Sequence, residues 1–158
     1  MMDKTKNSLY QSAFSQVTGK IQLKKLMKTV TWLGVGGEAE IFFQPSNRED
    51  LSRFLSRLPK QVGILPIGVC SNLLVRDGGI PDVTIRLGRG FSEVNIDGLY
   101  ITVGGASLDS RVAMVAAEVG VDLAFLRTIP GTIGGAVKMN AGCYGTCLAD
   151  VFERCEII

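Results

Sequence analysis

The sequence predicts an α+β protein in two lobes, and three observations carry that reading. Short apolar runs bounded by glycine or proline recur along the chain, as strands do. Two other stretches place apolar residues at helical spacing, each behind a serine. Between Gly131 and Gly145, finally, five glycines accompany a single charge, Lys138. Glycine loses more backbone entropy on folding than any other residue, so such a cluster needs a compensating reason. Either the chain turns through positive φ there, or something must approach the backbone closely.

Taken in order, the first thirty residues read as a polar helical arm. A glycine turn (Gly34, Gly36, Gly37) then feeds a strand from Glu38 to Phe43, which Pro45 ends. Ser46 with Glu49 matches a capping box, and Leu51, Phe54, Leu55 and Leu58 follow on one helical face until Pro59. A strand at Ile64–Ile67, the loop GVCSN and a strand at Leu73–Val75 come next, followed by a turn at Asp77-Gly78-Gly79. Val83, Ile85 and Leu87 place a further strand with one apolar face. A seam between lobes is expected near Pro81 to Gly90. Beyond it, strands at Phe91–Ile96 and Tyr100–Val103 join through Asp97-Gly98. Ser107 is the expected N-cap of a helix whose face is Leu108, Val112, Val115, Ala116 and Val119, with Gly120 as its stop. The terminal VFERCEII reads as a strand.

Composition excludes several functions. A net charge of +2, from 17 basic and 15 acidic residues, lacks the clustered basic face of a nucleic-acid binder. Lys20, Lys24, Lys25 and Lys28 form the one local excess and read as a solvated face. No run suffices to span a membrane, and the N-terminus lacks the apolar core of a secretory signal. The four cysteines make no C-x-x-C pair, which argues against zinc and fits a reducing cytoplasm. The chain has no histidine, so acid–base chemistry would fall to carboxylates, Tyr, Lys or Cys.

Two loops remain as candidate sites. In LPIGVCSNLLV, a bend after a strand points successive N–H groups into one concavity, with Ser71 and Asn72 as added donors. The same residues also make an ordinary turn. The second loop, IPGTIGGAVKMNAGCYG, offers an apolar wall of small residues with one amide, Asn140. That suits a flat aromatic ligand, or the close packing of two backbones.

Together with TWLGVGGEAE, the segments LPIGVCSNLLVRDGGIPDVTIRL and IPGTIGGAVKMNAGCYG resemble, in this order, the FAD-binding half of the UDP-N-acetylenolpyruvoylglucosamine reductases (MurB). The resemblance covers roughly residues 25–158. It implies a two-lobed FAD-binding domain of the vanillyl-alcohol-oxidase (PCMH) type: an arm over residues 1–24, a first lobe over 25–86 and an incomplete second lobe over 87–158. By it, Gly68, Val69, Cys70, Ser71, Asn72 and Leu73 would wrap the FAD pyrophosphate. Pro130, Gly131, Thr132, Gly134, Gly135 and Ala136 would lie along the cofactor. Asn140 and Tyr144 would face the flavin. Cys70 stands where the family usually has glycine, and offers its N–H only if its φ stays negative or its neighbours absorb the strain.

The resemblance further implies NADPH as hydride donor and a nucleotide-sugar substrate for the full-length enzyme, in cytoplasmic peptidoglycan synthesis. The family's catalytic serine, arginine and glutamate lie in segments with no counterpart here. Ser71, Ser107, Arg127 and Arg154 match none of those motifs, so no catalytic residue is expected. The chain is expected to be truncated, without its substrate domain and inactive alone. A related flavin oxidoreductase with another substrate, or a non-catalytic remnant, are the alternatives.

Overall fold

The computed structural model of the chain describes Tyr10 and residues 13–158. Four strands build the first lobe: β1 (Lys20–Leu26), β2 (Glu38–Gln44), β3 (Ile64–Ile67) and β4 (Ile80–Arg86), in the order β1-β2-β4-β3. β1 runs antiparallel to β2, whereas β4 lies parallel to both β2 and β3. Between β2 and β4 the register shifts: Ala39 opposes Ile80, yet Ile41 opposes Val83, so β4 carries one extra residue. Pro81 falls in that interval, where its missing N–H breaks no ladder bond.

The sheet is apolar on both faces. On one, the helix α1 (Arg48–Arg57) sets Leu51 and Phe54 against Ile41, Phe43, Val83 and Ile85. Phe43 and Phe54 pack with ring centroids 4.1 Å apart and planes tilted by 30°. Truncating a buried phenylalanine such as Phe54 to alanine costs about 3–5 kcal/mol. On the other face Phe42 gathers Met27, Val75, Ile67 and Leu73. Asp50 ties the start of α1 to the chain entering β1. Its carboxylate accepts N–H bonds from Thr18 (2.8 Å), Gly19 (2.8 Å) and Ser46 (3.0 Å). Burial alone would raise its pKa, but these donors and the Ser46 hydroxyl outweigh burial and hold it below the usual value.

The second lobe begins with a hairpin of β5 (Val94–Asp97) and β6 (Tyr100–Val103). It continues through α2 (Asp109–Glu118), a 3-10 turn at Ala124–Thr128, α3 (Ile133–Met139) and a small hairpin of β7 (Gly142–Cys143) and β8 (Thr146–Cys147). Val112, Ala113, Phe125, Leu126, Ala136 and Leu148 form its core. Gly120 ends α2 at φ +76°, with the N–H of Val121 returning to Ala116 O at 3.0 Å. That is the left-handed stop expected from the sequence.

Several expectations need correction. Residues 1–9, 11 and 12 of the anticipated helical arm lie outside the described residues, but Lys20–Leu26 is a strand that crosses residue 24. Its four-residue lysine excess hid an edge strand, where lysines are common. The cap of α1 is Asn47, whose Oδ1 accepts from Asp50 N at 2.9 Å, and not Ser46. Ser107 caps nothing: α2 starts two residues later, and the Ser107 hydroxyl donates to Glu93 O at 3.3 Å. Residues 73–75 are no strand; Leu73 and Val75 pack inward, but no neighbouring strand pairs with them. The first strand of the β5–β6 hairpin starts at Val94 rather than Phe91, which belongs to a 3-10 turn. Residues 152–158 form no strand.

Candidate functional site

Because β3 and β4 are parallel neighbours, their C-terminal ends open on the same side of the sheet, with Ile67 beside Arg86. The loop after β3 leaves from that edge and runs into the second lobe. A Cβ on Gly68 would lie 2.6 Å from Thr132 Oγ1, so the two glycine loops touch where Gly68 meets Thr132. Ligands of sheets with parallel strands settle at this kind of edge, outside the carboxyl ends of the strands.

A cleft of about 390 Å³ opens between the lobes here. The first lobe and its leading loop contribute Val30, Trp32, Val69 and Arg86. The second contributes Leu108, Ser110, Ile129, Pro130 and Gly131. One aromatic ring, Trp32 at 63% exposure, one guanidinium and one hydroxyl punctuate an otherwise apolar lining. A separate groove of about 460 Å³ along α2 takes no residue from either glycine loop.

Within the first loop, the backbone N–H groups of Val69, Cys70, Ser71 and Asn72 donate to no acceptor in the described protein. Cys70 is in the left-handed region at φ +59°. Alternation of right- and left-handed residues is what curls consecutive N–H groups into an anion-binding concavity. The conformation is costly for a residue with a Cβ, by roughly 1–2 kcal/mol. Two contacts hold it: Cys70 O accepts from Trp32 N at 3.3 Å, and Cys70 Sγ donates to Gly68 O at 3.6 Å. The sequence left two conditions for a cysteine here, and the second one applies. Burial pushes the Cys70 thiol up, with Arg86 opposing, so the thiol stays protonated at neutral pH.

The second loop is built differently from its sequence reading. Residues 133–139 are helical, and the donors nearest the cleft are committed internally. Ile133 N bonds Ser107 O at 3.0 Å and Gly134 N bonds Gly105 O at 2.9 Å. A Cβ on Gly134 would stand 3.0 Å from Gly105 O, and one on Gly131 would stand 2.5 Å from Asp109 Oδ2. These two glycines therefore have a packing reason of their own. Gly135 is the exception: a Cβ there would meet nothing nearer than 3.9 Å.

Of the expected residues only Val69, Pro130 and Gly131 line the cleft. Gly68, Cys70, Ser71, Asn72, Leu73, Thr132, Gly134, Gly135, Asn140 and Tyr144 lie outside its lining, and Ala136 is buried in the core of the second lobe rather than along the cleft. Asn140 closes α3 in the left-handed region, at φ +45°. Its Oδ1 accepts from Ala149 N at 2.9 Å. Tyr144 and Gly145, at φ +56° and +83°, turn the β7–β8 hairpin, and the Tyr144 ring is 80% exposed. Val30, Trp32, Arg86, Leu108, Ser110 and Ile129 line the cleft without having been expected there. The signal for Arg86 was its place one residue out of phase with Val83, Ile85 and Leu87, at the end of a strand.

Asp109 lies buried behind the cleft wall. Neither carboxylate oxygen has a hydrogen-bond partner among the described residues, and burial pushes its pKa up to about 6. Among the described residues no group of three His, Cys, Asp or Glu could hold a metal, and no helix is long and apolar enough to cross a membrane.

Unused consecutive N–H groups, an apolar lining and a single cation fit a cofactor with a diphosphate and flat rings. Comparisons with known proteins agree. A family model described as FAD binding domain matches residues 39–158. The UDP-N-acetylenolpyruvoylglucosamine reductase of Roseobacter denitrificans is 52% identical over 147 residues, 93% of this chain and 48% of that protein. That of Paracoccus denitrificans is 54% identical over 132 residues, 84% and 43% of the two. The crystal structure of the Thermus caldophilus enzyme (MurB) superposes with a TM-score of 0.67 at 35% identity, covering 85% of this chain and 47% of that one. The chain thus spans about half the length of the relatives it matches. It belongs to the FAD-binding-domain family.

Proposed function

We propose that this chain holds FAD in the cleft between its lobes and forms the cofactor-binding part of an enzyme that reduces UDP-N-acetylglucosamine enolpyruvate with NADPH. The product would be UDP-N-acetylmuramate, a precursor in cytoplasmic peptidoglycan synthesis. The observation that supports this most is the row of unused N–H groups from Val69 to Asn72. In water those donors are hydrated; against a diphosphate they make charge-assisted bonds roughly twice as strong as neutral ones. Bound FAD would supply the two-electron chemistry between nicotinamide and the enolpyruvyl double bond.

The chain's own residues would bind and orient. Val69, Leu108, Ile129 and Pro130 would exclude water from the ring system, with Trp32 as a stacking surface. Gly135 would let an edge of the ligand reach the backbone of α3. Asn140 and Tyr144 would then act from the rim, on the flavin side. No residue of the chain is assigned the proton delivered to substrate.

Titrating the purified 158-residue chain with FAD tests the reading. Flavin fluorescence should quench saturably and the melting temperature should rise with FAD concentration. A chain with neither response would favour a module that keeps the scaffold without the cofactor.

A further inference from the structure

Arg86 is half-buried at the end of β4 and is the one charged residue lining the cleft. Among the described residues no carboxylate pairs with it and no acceptor takes a hydrogen bond from its guanidinium. Its neighbours in the lining are mostly aliphatic, Val30, Val69, Leu108 and Ile129, with the Trp32 ring and the Ser110 hydroxyl beside them and no anion among them. A cation set among aliphatic groups gives up hydration without a compensating charge, so the arrangement favours an anion at the same place. The register fixes where that anion would sit. Ile67 pairs with Arg86, and the loop carrying the free N–H groups of Val69 to Asn72 starts just past Ile67. The guanidinium and those amides therefore border one edge of the sheet. A planar fork of donors matches two phosphate oxygens at once, which a backbone N–H cannot do.

We propose that Arg86 is the side-chain anchor of the cofactor's diphosphate, completing with its guanidinium the anion site that the amides of residues 69–72 begin. The inference rests on the FAD reading above and deepens it: without Arg86, the site would hold a doubly negative group by peptide dipoles alone. Arg86 also bears on affinity more than on fold, because no carboxylate among the described residues pairs with it and the Cys70 thiol it faces stays neutral.

The test measures the FAD dissociation constant of the 158-residue chain, Arg86→Met and Arg86→Lys at 50 and 500 mM NaCl. Arg86→Met should bind FAD about tenfold or more weakly at low salt, as removal of a charge-assisted bond predicts. The difference should shrink at high salt, where screening has already weakened the parent. Arg86→Lys keeps the charge but loses the fork, so it should bind at least about threefold more weakly than the parent, less weakly than Arg86→Met, and should keep the salt dependence. Equal constants for the parent and Arg86→Met overturn the proposal, as does a loss that salt leaves unchanged, which would report packing. If Arg86→Met gives no cooperative melt, Arg86→Lys decides: binding indifferent to both substitution and salt overturns the anchor. A parent that binds no FAD at all removes the cofactor reading itself, a result distinct from the others.

Discussion

Two residues beside the cleft stand in costly settings, one of backbone and one of burial. Cys70 occupies left-handed backbone that glycine adopts freely, and Trp32 and Gly68 hold it there through 3.3 and 3.6 Å bonds. That φ is the physical meaning of glycine at this place in the resembled family. Asp109 is the second. Its carboxylate is fully buried against Gly131 with neither oxygen bonded, and its pKa is about 6 against an unfolded value near 4. A carboxyl whose folded pKa is raised binds its proton more tightly in the native state. Its contribution to stability is therefore full below the unfolded pKa and is lost as pH climbs through about 6. From pH 5 to pH 7.5 the chain should lose about 1 kcal/mol of urea-measured stability relative to Asp109→Asn, whose side chain does not titrate. Parallel pH profiles for the two proteins would show that the native carboxyl is not perturbed.

At the scale of elements, what the residue pattern shows well is what short-range rules decide. β3 and β6 appear where the apolar runs put them, β2 ends one residue beyond its expected end, and the Gly120 stop follows from one left-handed glycine. What it hides depends on distant partners. Two glycines inside α3 cost about 1 kcal/mol each in intrinsic propensity, yet bonds from Ile133 and Gly134 to Ser107 and Gly105 anchor the helix start. Residues 73–75 alternate like a strand but find core instead of a pairing edge. The cleft was half legible for the same reason: motifs located both loops, while Arg86 and Trp32 enter only through sheet register and loop packing. Asn140 belongs to this scale, since it joins α3 to β8 through Cys147 Sγ and to the 3-10 turn after it through Ala149 N. Asn140→Ala should cost about 2 kcal/mol in urea denaturation, from left-handed strain and lost bonds together. Asn140→Gly, which removes only the bonds, should cost about half as much. Equal losses would mean that backbone conformation contributes nothing there.

Over the whole molecule, the lobes divide the work. One lends a sheet edge with a bend of bare amides, the other a wall behind which the amides of Gly131, Ile133 and Gly134 are already bonded. Arg48 on α1 reaches Glu156 near the chain's end through both guanidinium nitrogens, though both side chains are largely exposed and such pairs contribute at most about 1 kcal/mol. No acceptor among the described residues competes for the four donors of the bend. In heavy water, the protons of Val69 through Asn72 should accordingly swap for deuterium within seconds while that of Gly134 lingers, and saturating nucleotide should slow the first group alone. A mass spectrum of peptides spanning each bend would thus trace the cofactor's footprint one strand-end at a time, and the site would be visible as a change in how fast the backbone trades hydrogen with its surroundings.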